Sequence, residues 1–134
     1  MARRGLHAAL PMLLHALNDP DSNVRDEAAG ALRRIGDPRT GYDLFKRYVV
    51  EDDLNVRKTL SLGLGSTGYR PAVPLLIDAL TSEDHWLLRA HAAMALADLG
   101  ATEALPALRQ ALAQEADDWV KGWMRDAIEE LERG

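Results

Sequence analysis

The chain has 134 residues, no cysteine and a formal net charge of −5. The length fits one ordinary domain. The missing thiols exclude disulfides, thiolate metal sites and a cysteine nucleophile, and the negative charge disfavours a phosphate backbone as a general partner. Alanine and leucine dominate while β-branched and aromatic residues are sparse, a composition suited to helices rather than sheets. No apolar run approaches the roughly 20 residues of a membrane span. The opening Met1-Ala-Arg-Arg-Gly-Leu6 lacks the long apolar segment and small-residue cleavage site of a signal peptide, so a cytoplasmic location is expected.

One number organises everything else. Arg25, Arg57, Arg89 and Lys121 follow one another at steps of 32 residues, as do Gly36, Gly68 and Gly100, and Val24, Val56, Leu88 and Val120. A fixed period between roughly 20 and 50 residues marks a solenoid of stacked supersecondary units. The expected architecture is all-α, a right-handed α-α superhelix of four helical hairpins. They form one domain over residues 1–134, with repeats at approximately 5–36, 37–68, 69–100 and 101–134.

In chain order, each repeat reads as an A helix, a hairpin loop and a B helix. The first A helix carries Leu6, Ala9, Leu10, Met12, Leu13, Leu14, Ala16 and Leu17, apolar around much of its circumference. Its B helix has the stripe Val24, Ala28, Ala31, Leu32 and Ile35 at helical spacing, closed by Gly36. Asp37-Pro38 opens the second repeat, whose B helix carries Val56, Leu60, Gly63, Leu64 and Thr67 before Gly68. In the third, Gly68 to Pro71 is a turn and Pro71 is placed as a first helical residue. Residues 72–80 form the A helix, with Val73, Leu76 and Leu80 on one side. Its B helix runs from Trp86 through Leu88, Ala92, Ala95, Leu96 and Leu99 to Gly100. Thr102-Glu103 starts the fourth A helix, and Val120, Met124, Ala127, Ile128 and Leu131 line the last B helix. Asp21, Asp53 and Asp117 stand where an N-cap carboxylate meets free N–H groups, and His85 takes that place in the third repeat. The glycines end the B helices, where a left-handed residue is needed.

The pattern D-x-x-V-R-x-x-A-A-x-A-L-x-x-I-G-D from Asp21 to Asp37 closely resembles the HEAT-like repeats named after the phycobilisome (bilin) lyases. Ala72-Val-Pro-Leu-Leu76 and Leu88-Arg-Ala-His-Ala-Ala-Met-Ala-Leu-Ala-Asp-Leu-Gly100 resemble them too. The resemblance covers almost the whole chain and implies the HEAT-like version of the solenoid. For function it implies a wide range: lyases acting on tetrapyrroles, metal-dependent hydroxylases, DNA glycosylases and plain binding scaffolds.

The iron-binding hydroxylases of this type carry His-Glu dipeptides, and none occurs here. His7, His15, His85 and His91 are not spaced as a metal site, so no metal and no cofactor are expected. Glycosylases track DNA with basic residues, and the column Arg25, Arg57, Arg89, Lys121 could form such a ridge. The structural reading is a ladder pairing with Asp19, Asp52 and Asp84 in the turns, and it is preferred. Leu62-Gly-Leu-Gly65 lies inside a helix and does not make a phosphate loop. No nucleophilic triad or catalytic carboxylate pair is visible, so no enzyme is expected.

Repeats of one shape diverge where they meet something different. The exposed side of the B helices, normally the concave face in this family, changes along the chain. Asn23, Asn55, Leu87 and Trp119 share one column, Glu27, Thr59, His91 and Trp123 the next, and Gly30, Leu62, Met94 and Asp126 another. Ala90 and Gly122 leave a shallow groove between them. An exposed aromatic and apolar cluster suggests a contact site, and packing of the tryptophans against the chain's own C-terminal end is the alternative. Arg109 and Arg125 replace inter-repeat apolar groups in the last repeat, as a cap requires, whereas the first A helix shows no such substitution.

The expectation is a non-enzymatic protein-interaction module. It would bind a partner segment through Leu62, Leu87, His91, Met94, Trp119 and Trp123, and could form a homo-oligomer through its N-terminal repeat. A tetrapyrrole-handling, bilin lyase-like accessory role is the second reading, and binding to a nucleic-acid backbone the third.

Overall fold

The computed structural model describes residues 8–82 and 85–134. Among them are eight α-helices and no strand: α1 Leu10–Ala16, α2 Ser22–Ile35, α3 Gly41–Val50, α4 Leu54–Ser66, α5 Val73–Ser82, α6 Trp86–Asp98, α7 Leu105–Gln114 and α8 Asp118–Arg133. They pair into helical hairpins of the α-solenoid class at the 32-residue step. The chain divides into two compact units, residues 1–69 and 70–134. In the first unit α1 packs on α2, α3 on α4, and α2 on α4; in the second, α5 packs on α6, α7 on α8, α6 on α8 and α5 on α7.

Local chemistry sets the boundaries. Asp21, Asp53 and Asp117 accept backbone N–H bonds from Asn23, Asn55 and Trp119 at 2.8 to 2.9 Å. His85 does the same through Nδ1 for Leu87. Each cap relieves donors that have no partner within the helix. Gly36, Gly68 and Gly100 lie at φ 65°, 71° and 62°, where a Cβ is strained. The A-helix starts differ from expectation. Pro38–Thr40, Arg70–Ala72 and Thr102–Ala104 are single 3₁₀ turns, so Pro71 precedes the helix and Pro74 takes its second position. The tight turn satisfies groups that the helix start leaves open.

Spaced leucines fill the interior. Leu17, Leu32, Leu44, Leu60 and Leu64 in the first unit, and Leu76, Leu80, Leu96 and Leu108 in the second, are removed from solvent, each stabilising the fold by about 1.5–3 kcal/mol relative to exposure. Small residues on the B helices allow close approach: Ala28, Ala29, Ala92, Ala93 and Ala95 are all buried. Gly41 is required on steric grounds, since a methyl there would stand 2.8 Å from the Tyr69 ring.

The arginine column forms joints between hairpins, with acceptors other than those expected. Arg25 donates through Nε and Nη2 to both carboxylate oxygens of Glu51, at 2.8 and 2.9 Å. Its Nη1 donates to the carbonyls of Asp19 and Pro20. Arg89 makes the same fork onto Glu115, at 2.7 and 2.9 Å. Each glutamate also accepts a backbone N–H from the capping aspartate two residues on, Asp53 or Asp117. Of the aspartates expected as acceptors, Asp19 accepts from the Asp21 N–H, Asp52 is exposed, and Asp84 lies outside the described residues. A longer side chain, two residues before the cap, reaches back to both partners.

Candidate functional site

Placing α6 beside α8 brings together stripes that are far apart in sequence. On α6 the spacing puts Leu87, His91, Met94 and Asp98 on one side; on α8 it does the same for Trp119, Trp123, Asp126 and Glu130. Leu87, His91, Met94 and Trp123 are half-buried and Trp119 is 48% exposed. His91 is fixed by a 2.7 Å bond in which Nδ1 donates to the Leu87 carbonyl.

The aromatic rings form a continuous set at the N-terminal ends of these helices. Trp86 meets Trp119 edge to face, with centroids 4.9 Å apart and planes at 88°. Trp119 meets Trp123 at 5.6 Å and 72°, and the His85 ring lies 5.5 Å from Trp86. These geometries suit the ring quadrupoles and hold the indoles in place, while Trp86 stays 41% exposed. Trp86 was missing from the expected set. It is the first residue of α6, aligned with Ser22, Leu54 and Asp118, outside the columns that describe the B-helix ridge. Its signal in the sequence was its identity as the third of only three tryptophans.

Two residues expected on the exposed side of the B helices are buried. Leu62 is 8% exposed. It belongs to a stretch of α4, Thr59 to Gly65, in which every residue is buried. That stretch has no charged side chain, and a helix apolar all round is enclosed. Ala90, expected as groove floor, is also fully buried.

Gly122 does leave an opening: a methyl there would meet no atom within 4 Å. Gly122→Ala should therefore raise the unfolding free energy by about 0.5–1 kcal/mol through helix propensity alone, read as a higher urea midpoint. A lower midpoint would show that the space is not open.

Below the aromatic set, a cleft of about 120 Å³ is lined by Met94, Ala97, Trp123 and Ala127, with Asp98, Asp126 and Glu130 at its edge. Among the described residues no group of three or more His, Asp or Glu could hold a metal ion. The basic column offers no open ridge: Arg25 and Arg89 are engaged in their joints, Arg57 lies over the Tyr48 ring at 5.1 Å, and Lys121 pairs with Asp118.

The first hairpin carries a cleft of mixed lining. About 700 Å³ in volume, it runs along Leu13, Ala16, Val24, Ala28 and Ala31 together with Asp26, Glu27, Arg33, Arg34 and Thr59, and Met12 is 74% exposed. Leu6 and His7 lie outside the described residues. At the other end Arg109 and Arg125 are exposed, as a cap requires, with Arg109 paired to Glu132.

The model of the HEAT repeats family matches residues 1–62 and 42–129 of the chain. No curated protein matches it. HEAT repeats generally mediate protein–protein interaction, and no helix among the described residues is long and apolar enough to cross a membrane.

Proposed function

The chain belongs to the HEAT-repeat family, and from that premise we propose that it is a non-enzymatic, cytoplasmic interaction module that docks a partner segment on the α6–α8 face. One observation carries the reading. Three tryptophans are locked edge to face, and Trp86 and Trp119 keep over two-fifths of their surface in solvent. Large rigid aromatics exposed beside half-buried apolar side chains are the residues that carry binding energy at interfaces. Leu87, His91, Met94, Trp119 and Trp123 are the contact residues, joined by Trp86.

The test is paired capture on the immobilised full chain and on its Trp123→Ala variant. A partner retained by the first and lost by the second supports the reading; partners held equally by both overturn it. The tetrapyrrole-handling alternative draws on the same rings, since exposed indoles can stack on a planar macrocycle. A shift of the visible bands on mixing with a bilin would favour it. Salt-sensitive retardation of duplex DNA would favour backbone binding, which the engaged arginines do not support.

Self-association through the first hairpin is a separate proposal, resting on the cleft along Leu13, Ala16 and Val24 and on exposed Met12. An exposed methionine beside apolar side chains is a group that association would cover. Met12→Lys should weaken association by about tenfold, seen by sedimentation as a shift to monomer. A wild-type chain that stays monomeric at high concentration would remove the homodimer.

A further inference from the structure

The docking face has a polarity along the helix axes. Reading down α6, Leu87, His91 and Met94 give way to Asp98; down α8, Trp119 and Trp123 give way to Asp126 and Glu130. The cleft spans that change, with Met94 and Trp123 on its wall and the three carboxylates at its edge. Asp98, Asp126 and Glu130 are exposed, and neither Asp126 nor Glu130 has a cationic partner within 4 Å among the described residues. Asp98 and Glu130 lie in the last turns of their helices, where the helix dipole adds negative potential. Of the basic residues of α8, Lys121 pairs with Asp118, Arg125 lies about 200° around the helix from Trp123, and Arg133 stands at the end of the helix, three residues beyond Glu130. The corresponding stripes of the first two repeats, Asn23-Glu27-Gly30-Arg34 and Asn55-Thr59-Leu62-Ser66, carry no aromatic residue, and Glu27 is their one acid. The combination is particular to this pair of helices.

We infer that the occupant of this face is a peptide segment bearing a lysine or arginine next to a large apolar side chain. The apolar group packs on Trp123 and Met94, and the cation sits between Asp126 and Glu130. A long basic side chain suits the site because its methylene stem can lie along the indole while its head reaches the carboxylates. The inference rests on the docking reading above and fails separately from it.

The experiment selects random displayed peptides on the full chain. It then measures the winners on the wild type, on Trp123→Ala and on the double variant Asp126→Lys, Glu130→Lys. The expected winners are enriched in Lys or Arg beside Trp, Phe or Leu. They bind the charge-reversed chain at least about tenfold more weakly, with binding that falls as salt rises. The milder pair Asp126→Asn, Glu130→Gln, checked for an unchanged melting curve, serves if the reversed variant folds poorly. Winners that need Trp123 but show no basic bias and bind the reversed variant equally well overturn this inference and leave the docking face standing. Winners indifferent to Trp123→Ala, or no winners at all, count against both.

Discussion

Glu51→Gln is expected to lower the unfolding free energy by about 3 kcal/mol, the order seen when one partner of a buried ion pair is removed. The Glu51 side chain is fully buried and that of Arg25 is 10% exposed. Glu51 accepts the Arg25 fork, a bond from Arg47 at 2.9 Å and the Asp53 N–H. The amide keeps the shape but removes the charge from a site that still holds two guanidinium groups. The same change at Glu115 should cost less, since Arg89 is more exposed at 19%. Breaking the exposed Arg109–Glu132 pair should cost under about 1 kcal/mol. Equal losses at all three would mean that burial does not set the value. Acid dependence supplies a second readout. Burial pushes the Glu51 carboxyl up, but the hydrogen bonds from Arg25 and the Asp53 N–H, with the Arg47 charge, outweigh it and hold the group below its ordinary range. A depressed carboxyl contributes in full above the unfolded-state value, about 4.3, and the contribution is lost as pH falls through the lower folded value. The gap between wild type and Glu51→Gln should stay level from neutral pH down to about that unfolded value and close below it.

Trp123→Ala should cost a docked partner about 2 kcal/mol or more, the loss typical of an aromatic hot spot. The fold should lose little, because Trp123 is only half-buried and the neighbouring core residues Val120, Met124 and Ala127 remain. Calorimetric titration and thermal melting on the same variant separate the outcomes. A chain that melts lower yet keeps its partner affinity places Trp123 in the packing of its own helices and removes it from the docking surface.

The repeat, the caps and the helix ends were legible because each follows from a local rule: a 32-residue step, a carboxylate at an N-cap, a glycine at positive φ. The joints were half legible. Their arginines stand in register, but several acids lie near each turn, and choosing Glu51 over Asp52 needs the reach of the side chain and the prior claim of Asp53 on the helix start. The docking face was read from columns of exposed residues, which assumes that every B helix has an outer side. In α4 the uncharged stretch from Thr59 to Gly65 has none, and Leu62 is lost to the interior. Trp86 was passed over because its own column, Ser22, Leu54, Trp86 and Asp118, starts the B helices beside the ridge and not on it, yet its ring reaches Trp119.

The two described joints are copies of each other in sequence: 89 − 25 and 115 − 51 both equal 64. Each lies wholly within one of the two units, with the donor on the earlier hairpin and the acceptor on the later. A stretch of gene encoding two hairpins therefore encodes the fastener together with the parts it fastens. Duplicating that stretch in frame would yield more chain already equipped to hold itself together, with no matching change needed elsewhere, and the copies could then diverge at their surfaces while the fastener stayed the same.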